Sequence, residues 1–338
     1  MNTRPLGKSG IEVSAVGLGC NALGGRIDLE ASRGIVHKAL DLGVTLFDTA
    51  NSYGNRYGTP GGSEIALGKI LGARRKDVVL ATKFGTQSNK HASIPVEGAS
   101  RREIVTALEE SLKRLNTDWI DLYQMHHPDP RTPIEETLRA LDDLVRAGKI
   151  RFIGCSNAPA WRIADAEWTA RHHGLGPFVT CQSEYSLLAR GIEREVIPAM
   201  QHYDLGLLPC YPLAAGLLTG KYRRNEMPEG ARLTSEKRLG DRYLTDANWA
   251  LVERLRRFCS ARDRSLLELA FAWLLAHPIV SSVIAGATRP EQVELNVRAG
   301  GWTLTASEMA EVESLLRGAD NAPAPQSGSG ASRPALTH

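Results

Sequence analysis

No stretch of this 338-residue chain is apolar for long enough to cross a membrane, and the N-terminus, MNTRPLGKSG, lacks the apolar core of a signal peptide. The expected location is therefore the cytoplasm, with no membrane partner. Cysteine is scarce. Cys20, Cys155, Cys181, Cys210 and Cys259 are odd in number, far apart and form no CxxC, which favours buried thiols in a reducing compartment over any metal or redox role. Charge of one sign is lacking too: 41 basic and 38 acidic residues leave a formal net charge of +3, spread along the chain. With no aromatic–basic platform, no nucleic-acid partner is expected. No GxGxxG follows an early strand; Gly17-Leu18-Gly19 is only a fragment of it. The glycine-rich segment 54–62, GNRYGTPGG, lacks the GK[ST] ending of a phosphate-binding Walker loop, so its glycines read as turns. No HExxH or similar spacing occurs and no nucleophile–base pair stands out, so no metal is expected. A barrel isomerase or a metal-dependent hydrolase would need a ligand cluster that is missing.

What is present is a regular alternation. TRPLGKSGIEVSAVGLG reads as a hairpin turning at Lys8-Ser9-Gly10, followed by a strand Val13–Gly19. Further strands are expected at 44–48, 78–82, 119–125, 150–155, 178–182, 207–210 and 280–285. Helices are expected at 29–41, 64–71 with Ser63 as cap, 101–115, 133–147, 160–173 and 192–202. Residues 213–244 read as a long loop. Helices near 246–262, 265–276, 290–299 and 306–317 close the chain. Strand–helix alternation demands a parallel sheet. Eight units in about 300 residues point to a closed (β/α)8 barrel with an N-terminal β-hairpin and two extra helices. A doubly wound open sheet is the alternative. Without a composition break, residues 1–318 read as one domain. The Pro/Gly/Ser/Ala-rich end, 319–338, reads as a disordered tail.

Ionisable residues recur at expected strand ends. Asp48 closes VTLFD, with Tyr53 five residues on; Lys83 closes VVLATK and His126 closes IDLYQMH. Alternation places Val44, Leu46 and Asp48 on one side of their strand, and His126 and His127 on opposite faces. An acid desolvated at the end of an apolar strand needs a partner, and a lysine at a neighbouring strand end supplies one. An ammonium beside a phenol favours the phenolate and lowers its pKa from about 10. A histidine beside them can hydrogen-bond a substrate oxygen. Such a set protonates a carbonyl oxygen while hydride reaches the carbon, or runs the reverse.

FDTANSYG, ATKFG, DLYQMHHPDP, RAGKIRFIGCSN, QSEYSLL, YPLAAGLLTGKY and GATRPEQVELN, in this order, resemble the motifs of the aldo-keto reductases from about Arg4 to Leu316. The likeness is to the bacterial branch that also resembles the potassium-channel β-subunits. The resemblance implies a (β/α)8 barrel and NAD(P)H-dependent reduction of an aldehyde, ketone or sugar carbonyl. It implies Tyr53 as general acid, Lys83 as the group tuning it, Asp48 as partner of Lys83 and His126 as the group orienting the carbonyl. Cys20, Asn21, Phe84 and His127 are implied around the substrate; Cys20-Asn21 stand where many relatives carry a bulkier residue. Ser156, Asn157 and Gln182 match positions holding the nicotinamide carboxamide, and Tyr211 matches the aromatic stacked on its ring. Leu213, Gly216, Leu218, Gly220 and Lys221 match the loop over the pyrophosphate. Gly286, Thr288, Arg289, Gln292 and Asn296 match the adenosine end, although Leu295 replaces a glutamate that often contacts adenine. Gln292 and Asn296, four apart, share a helical face with Thr288 at its start. A helix N-terminus and Arg289 there suit the 2′-phosphate of NADP(H), with NAD(H) the alternative. A regulatory nicotinamide-binding subunit like the channel β-subunits is the second function the resemblance allows.

Overall fold

The computed structural model describes residues 1–86, 98–224 and 226–317. The expected tail at 319–338 and most of the loop 85–99 lie outside the described residues. Two short strands, β1 (Thr3–Pro5) and β2 (Glu12–Ser14), pair antiparallel as a hairpin. Eight strands form the main sheet: β3 (Val16–Gly19), β4 (Leu46–Asp48), β5 (Val79–Phe84), β6 (Ile120–Met125), β7 (Ile150–Ser156), β8 (Thr180–Glu184), β9 (Gly206–Cys210) and β10 (Val283–Gly286). Their order, β10-β3-β4-β5-β6-β7-β8-β9, is parallel at every pairing. A parallel bridge between Leu207 and Val280 joins β9 to the approach of β10 and closes the ring. The fold is the (β/α)8 barrel; the open sheet is excluded by that closure.

Alternation within the strands sorts the core into two layers. Inside the barrel, Leu46, Ala81, Leu122, Leu208 and Ile284 pack together with Leu6 and Val13 of the hairpin. The hairpin thus plugs the N-terminal mouth. Its turn passes so close to the starts of β8 and β9 that a Cβ on Gly7 would lie 1.9 Å from the Val179 carbonyl oxygen and 2.7 Å from the Gly206 nitrogen. Gly7 also has φ +54°, so both space and backbone require glycine there. Phe47, Leu80, Tyr123 and Ile153 face outward and meet the helices.

The helices are α1 (Leu29–Asp41), α2 (Gly62–Leu71), α3 (Arg101–Leu115), α4 (Ile134–Arg146), α5 (Ala160–His173), α6 (Val196–His202), α7 (Arg232–Ser235), α8 (Lys237–Tyr243), α9 (Asp246–Ser260), α10 (Leu266–Leu275), α11 (Pro290–Ala299) and α12 (Ala306–Arg317). Asp28 caps α1, and capping boxes at Ser100 and Ser265 start α3 and α10.

Four local expectations are corrected. The strand expected at Val13–Gly19 is two strands: Ser14 ends β2 opposite Thr3 while exchanging hydrogen bonds with Thr45 (2.8 and 3.0 Å), and β3 begins at Val16 beside β10. Val44 precedes β4 and packs in the outer layer, so it does not share a side with Leu46. Ser63 is not a cap: α2 starts at Gly62, and the Ser63 hydroxyl donates to the Cys20 carbonyl at 2.7 Å. Residues 213–244 are not a plain loop, since they hold a 3-10 segment, Ala214–Thr219, as well as α7 and α8.

Candidate active site

The C-terminal ends of β4 and β5 bring Asp48 and Lys83 together inside the barrel. Lys83 is 0 % exposed and its Nζ donates to Asp48 Oδ2 at 2.7 Å and to the Thr49 carbonyl at 2.9 Å. The Tyr53 hydroxyl is its third partner, at 3.2 Å. Three donors and three acceptors are thereby matched, which is what a buried ammonium requires. The other Asp48 oxygen, Oδ1, accepts from Gln124 Nε2 at 3.1 Å and Gln182 Nε2 at 3.0 Å. Gln124 went unnoticed in the sequence; the signal was one amide among apolar residues in IDLYQM, on an inward-facing position of β6. Gln182, matched above to a carboxamide-holding position, donates to Asp48.

The electrostatics oppose one expectation. Burial raises the Tyr53 phenol, and although Lys83 pulls it down, the balance leaves it at about 12 rather than lowered. Desolvation outweighs the ammonium, whose charge is already shared with Asp48. Burial also pulls the Lys83 ammonium down, but Asp48 and Tyr53 more than offset it, and Lys83 titrates above its ordinary value. The His126 imidazole is held well below the usual histidine range by burial, then by Lys83 and by His127. At neutral pH the site therefore holds a neutral phenol, a charged ammonium and a neutral imidazole.

The His126 ring meets the Tyr53 ring edge-on, with centroids 6.0 Å apart at 79°. His126 and His127 are not on opposite faces. β6 ends at Met125, strand alternation stops there, and the two imidazoles stack at 4.9 Å and 8°. Among the described residues no His/Cys/Asp/Glu group could hold a metal ion.

The remaining positions surround this centre unevenly. Asn157, at φ +55°, donates from Nδ2 to the His126 carbonyl and to Ser156 Oγ, both at 3.0 Å, and so ties β7 to β6. Beyond β9 the backbone is left-handed at Tyr211, Ala214, Ala215, Gly216 and Gly220, so the chain winds tightly between Tyr211 and Lys221. Leu213 starts this turn and Leu218 is buried within it. Arg232 lies over the Tyr211 ring, 5.3 Å from its centroid, and is tied through Glu236 (3.1 Å) to Arg56 (3.0 Å). Lys221 is lowered by burial and then by the positive charges of Arg26 and Arg289. Arg26 was missed in the sequence because single exposed arginines carry no pattern. Arg289 is the N-cap residue of α11, with no side-chain cap bond. Both the amide and the hydroxyl of Thr288 donate to Gln292 Oε1, at 2.7 and 3.2 Å. Gly286 lies beside Asn21, and Asn296 is buried one turn beyond Gln292. Phe84 and Cys20 are 0 % exposed, Phe84 packing against Tyr123 at 4.8 Å and Cys20 lying within reach of the Asp48 and Lys83 charges.

Comparison with known proteins agrees with this geometry. The Aldo/keto reductase family model matches residues 15–317, and the chain belongs to that family. It is 38 % identical over 309 residues to a rice (Oryza sativa subsp. japonica) protein named as a probable voltage-gated potassium channel subunit beta, covering 88 % of this chain and 91 % of that one. It is 34 % identical over 326 residues to the L-glyceraldehyde 3-phosphate reductase of Escherichia coli K12, covering 93 % and 92 %. It is 34 % identical over 323 residues to the aldo-keto reductase YhdN of Bacillus subtilis, covering 94 % of each chain. The family and its named reductases support an oxidoreductase. No helix among the described residues is long and apolar enough to cross a membrane.

Proposed function

We propose that this protein reduces aldehydes, ketones or sugar carbonyls, or oxidises the corresponding alcohols, with NADP(H). The observation that carries the reading is one buried ammonium, Lys83, bonded at once to Asp48 and to the Tyr53 hydroxyl. A family that named reductases share, an inward-facing acid–lysine–tyrosine set and a neutral histidine beside it all support this reading.

The donor set fits a dinucleotide. Three cations that feel one another's charge, Arg26, Lys221 and Arg289, suit phosphate groups, and the left-handed turn at Gly216 leaves the backbone free of a Cβ. Ser156, Asn157 and Gln182 would hold the carboxamide, Tyr211 the nicotinamide ring, and Leu213, Gly216, Leu218, Gly220 and Lys221 the pyrophosphate. Gly286, Thr288, Arg289, Gln292 and Asn296 would hold the adenosine, Arg289 favouring NADP(H) over NAD(H).

A bound reduced nicotinamide supplies hydride to the carbonyl carbon. Tyr53 gives its phenolic proton to the carbonyl oxygen, so one hydride and one proton convert the carbonyl to an alcohol. Lys83 limits the charge that develops on the phenolate, and Asp48 keeps Lys83 charged and in place. His126, neutral, offers an N–H to the same oxygen and orients it. Asn21 and His127 border the approach from solvent.

The second reading, a nicotinamide-binding regulatory subunit, is favoured by the similarity to the rice protein. A panel of aldehydes, ketones and sugars assayed with NADPH and with NADH separates the two. Turnover that disappears in Tyr53→Phe supports the reductase, whereas cofactor binding without turnover supports the regulatory reading.

A further inference from the structure

Histidines that act on substrates are usually oriented by a hydrogen bond at their second nitrogen, which also selects the tautomer. His126 lacks that support among the described residues: its Nδ1 is buried and has no partner. Its main chain is fixed, by the His126 N–H donating to Phe84 O at 2.9 Å and by Asn157 on its carbonyl, but these bonds leave χ1 and χ2 free. Two rings restrain the imidazole instead. Tyr53 meets it edge-on and His127 lies flat against it. His127 is exposed, and Pro128 after it restricts its backbone to extended conformations.

We propose that His127 is a positioning residue whose ring is the surface that holds the His126 imidazole toward the substrate oxygen. The inference rests on the reductase reading and deepens it. A neutral His127 stacks as an apolar plate. Protonated, it carries a charge against the His126 ring and gains hydration by turning outward, so the stack opens. The charged and titratable groups facing His126 are Lys83 from β5, Tyr53 from the loop after β4 and His127 itself, with Asp48 of β4 behind Lys83. Although His127 is exposed overall, packing of its ring against His126 desolvates it in part and lowers it, which places this opening on the acid side of the ordinary histidine range.

The test compares wild type, His127→Ala and His127→Phe, each as the full chain. His127→Ala should lower kcat roughly tenfold to 10²-fold, the scale of a displaced reacting group, with a smaller change in KM. His127→Phe should restore most of kcat, because it keeps a flat ring, and should lose the acid limb of kcat against pH. A rise in KM alone in His127→Ala, a Phe variant no better than Ala, or an unchanged acid limb in the Phe variant would overturn the proposal. Long-range ¹H–¹⁵N spectra of the imidazoles provide a readout independent of turnover. The His126 ring should show one environment in wild type and in His127→Phe and an averaged one in His127→Ala; identical His126 signals in all three would equally overturn it. Absence of turnover in wild type would count against the reductase reading alone, since the spectra still decide the placement of His126.

Discussion

Gln124 Nε2 donates to Asp48 Oδ1 at 3.1 Å, on the oxygen that Lys83 does not use. With Gln182 at 3.0 Å on the same oxygen, the carboxylate is fully engaged inside the barrel. Replacing Gln124 by Leu keeps the side-chain size but removes one of these donors from a buried charge. The loss of a hydrogen bond to a charged group amounts to about 1.5–3 kcal/mol. A fall of that size in denaturant-derived stability is expected, with turnover reduced far less than in Tyr53→Phe. An unchanged denaturation midpoint would show that water or Gln182 replaces Gln124 without loss.

Lys83→Met should be more severe. It leaves Asp48 charged and unpaired in a dry site, and breaking a buried pair costs about 3–5 kcal/mol. The Tyr53 phenol, already at about 12, would rise further without its neighbouring ammonium. Melting temperature and the basic limb of the pH–rate profile should both move. A stable variant with the wild-type profile would remove Lys83 from its role.

The pH dependence follows from two raised groups. Tyr53 is at about 12 when folded and near 10 when unfolded, and Lys83 is likewise raised in the fold. Groups raised on folding contribute stability that is complete below their unfolded pKa and is lost as pH rises through the folded one. Stability should therefore hold up to about pH 10 and decline above it, and carbonyl reduction should show no basic limb near neutrality. A loss of kcat/KM centred below pH 9, with the fold intact by circular dichroism, would contradict a phenol held in its neutral form.

Arg289→Ala separates the cofactors. Losing one hydrogen-bonded cation from a phosphate should weaken NADPH by about 1.5–3 kcal/mol, and NADH much less. Titrating both cofactors into both proteins measures this. Equal losses, or a wild type that prefers NADH, would reassign the adenosine end.

Much of this architecture was legible because strand and helix periods are strong local signals. The eight strands emerged with end shifts of at most three residues, and only the Val13–Gly19 strand proved to be two, since the Thr3–Ser14 pairing and the Ser14–Thr45 exchange are non-local. Residues 213–244 were opaque for a different reason. α7 and α8 span four and seven residues, too short to show a period, and are held by contacts such as Arg56 with Glu236 across 180 positions. Around the site, Asp48 and Lys83 could be picked out because charged residues at apolar strand ends are conspicuous, and Tyr53 by its place just beyond one of them. Gln124 was not, because an uncharged amide within a strand is chemically plain. The side chosen for His127 and for Val44 failed because alternation applies only while the strand lasts. Tyr53 shifted upward because sequence shows a lysine's presence but not the desolvation that competes with it.

The most direct measurement is single-turnover hydride transfer in wild type and Tyr53→Phe, with cofactor affinity measured alongside. Removing a general acid typically slows reaction by about 10²–10⁴-fold. The expected result is a loss in that range with NADPH binding unchanged, since only a proton donor has been removed from an intact ring. Hydride transfer in Tyr53→Phe at the wild-type rate would contradict the account, and so would a wild type that binds NADPH tightly yet transfers hydride to no carbonyl in a broad panel.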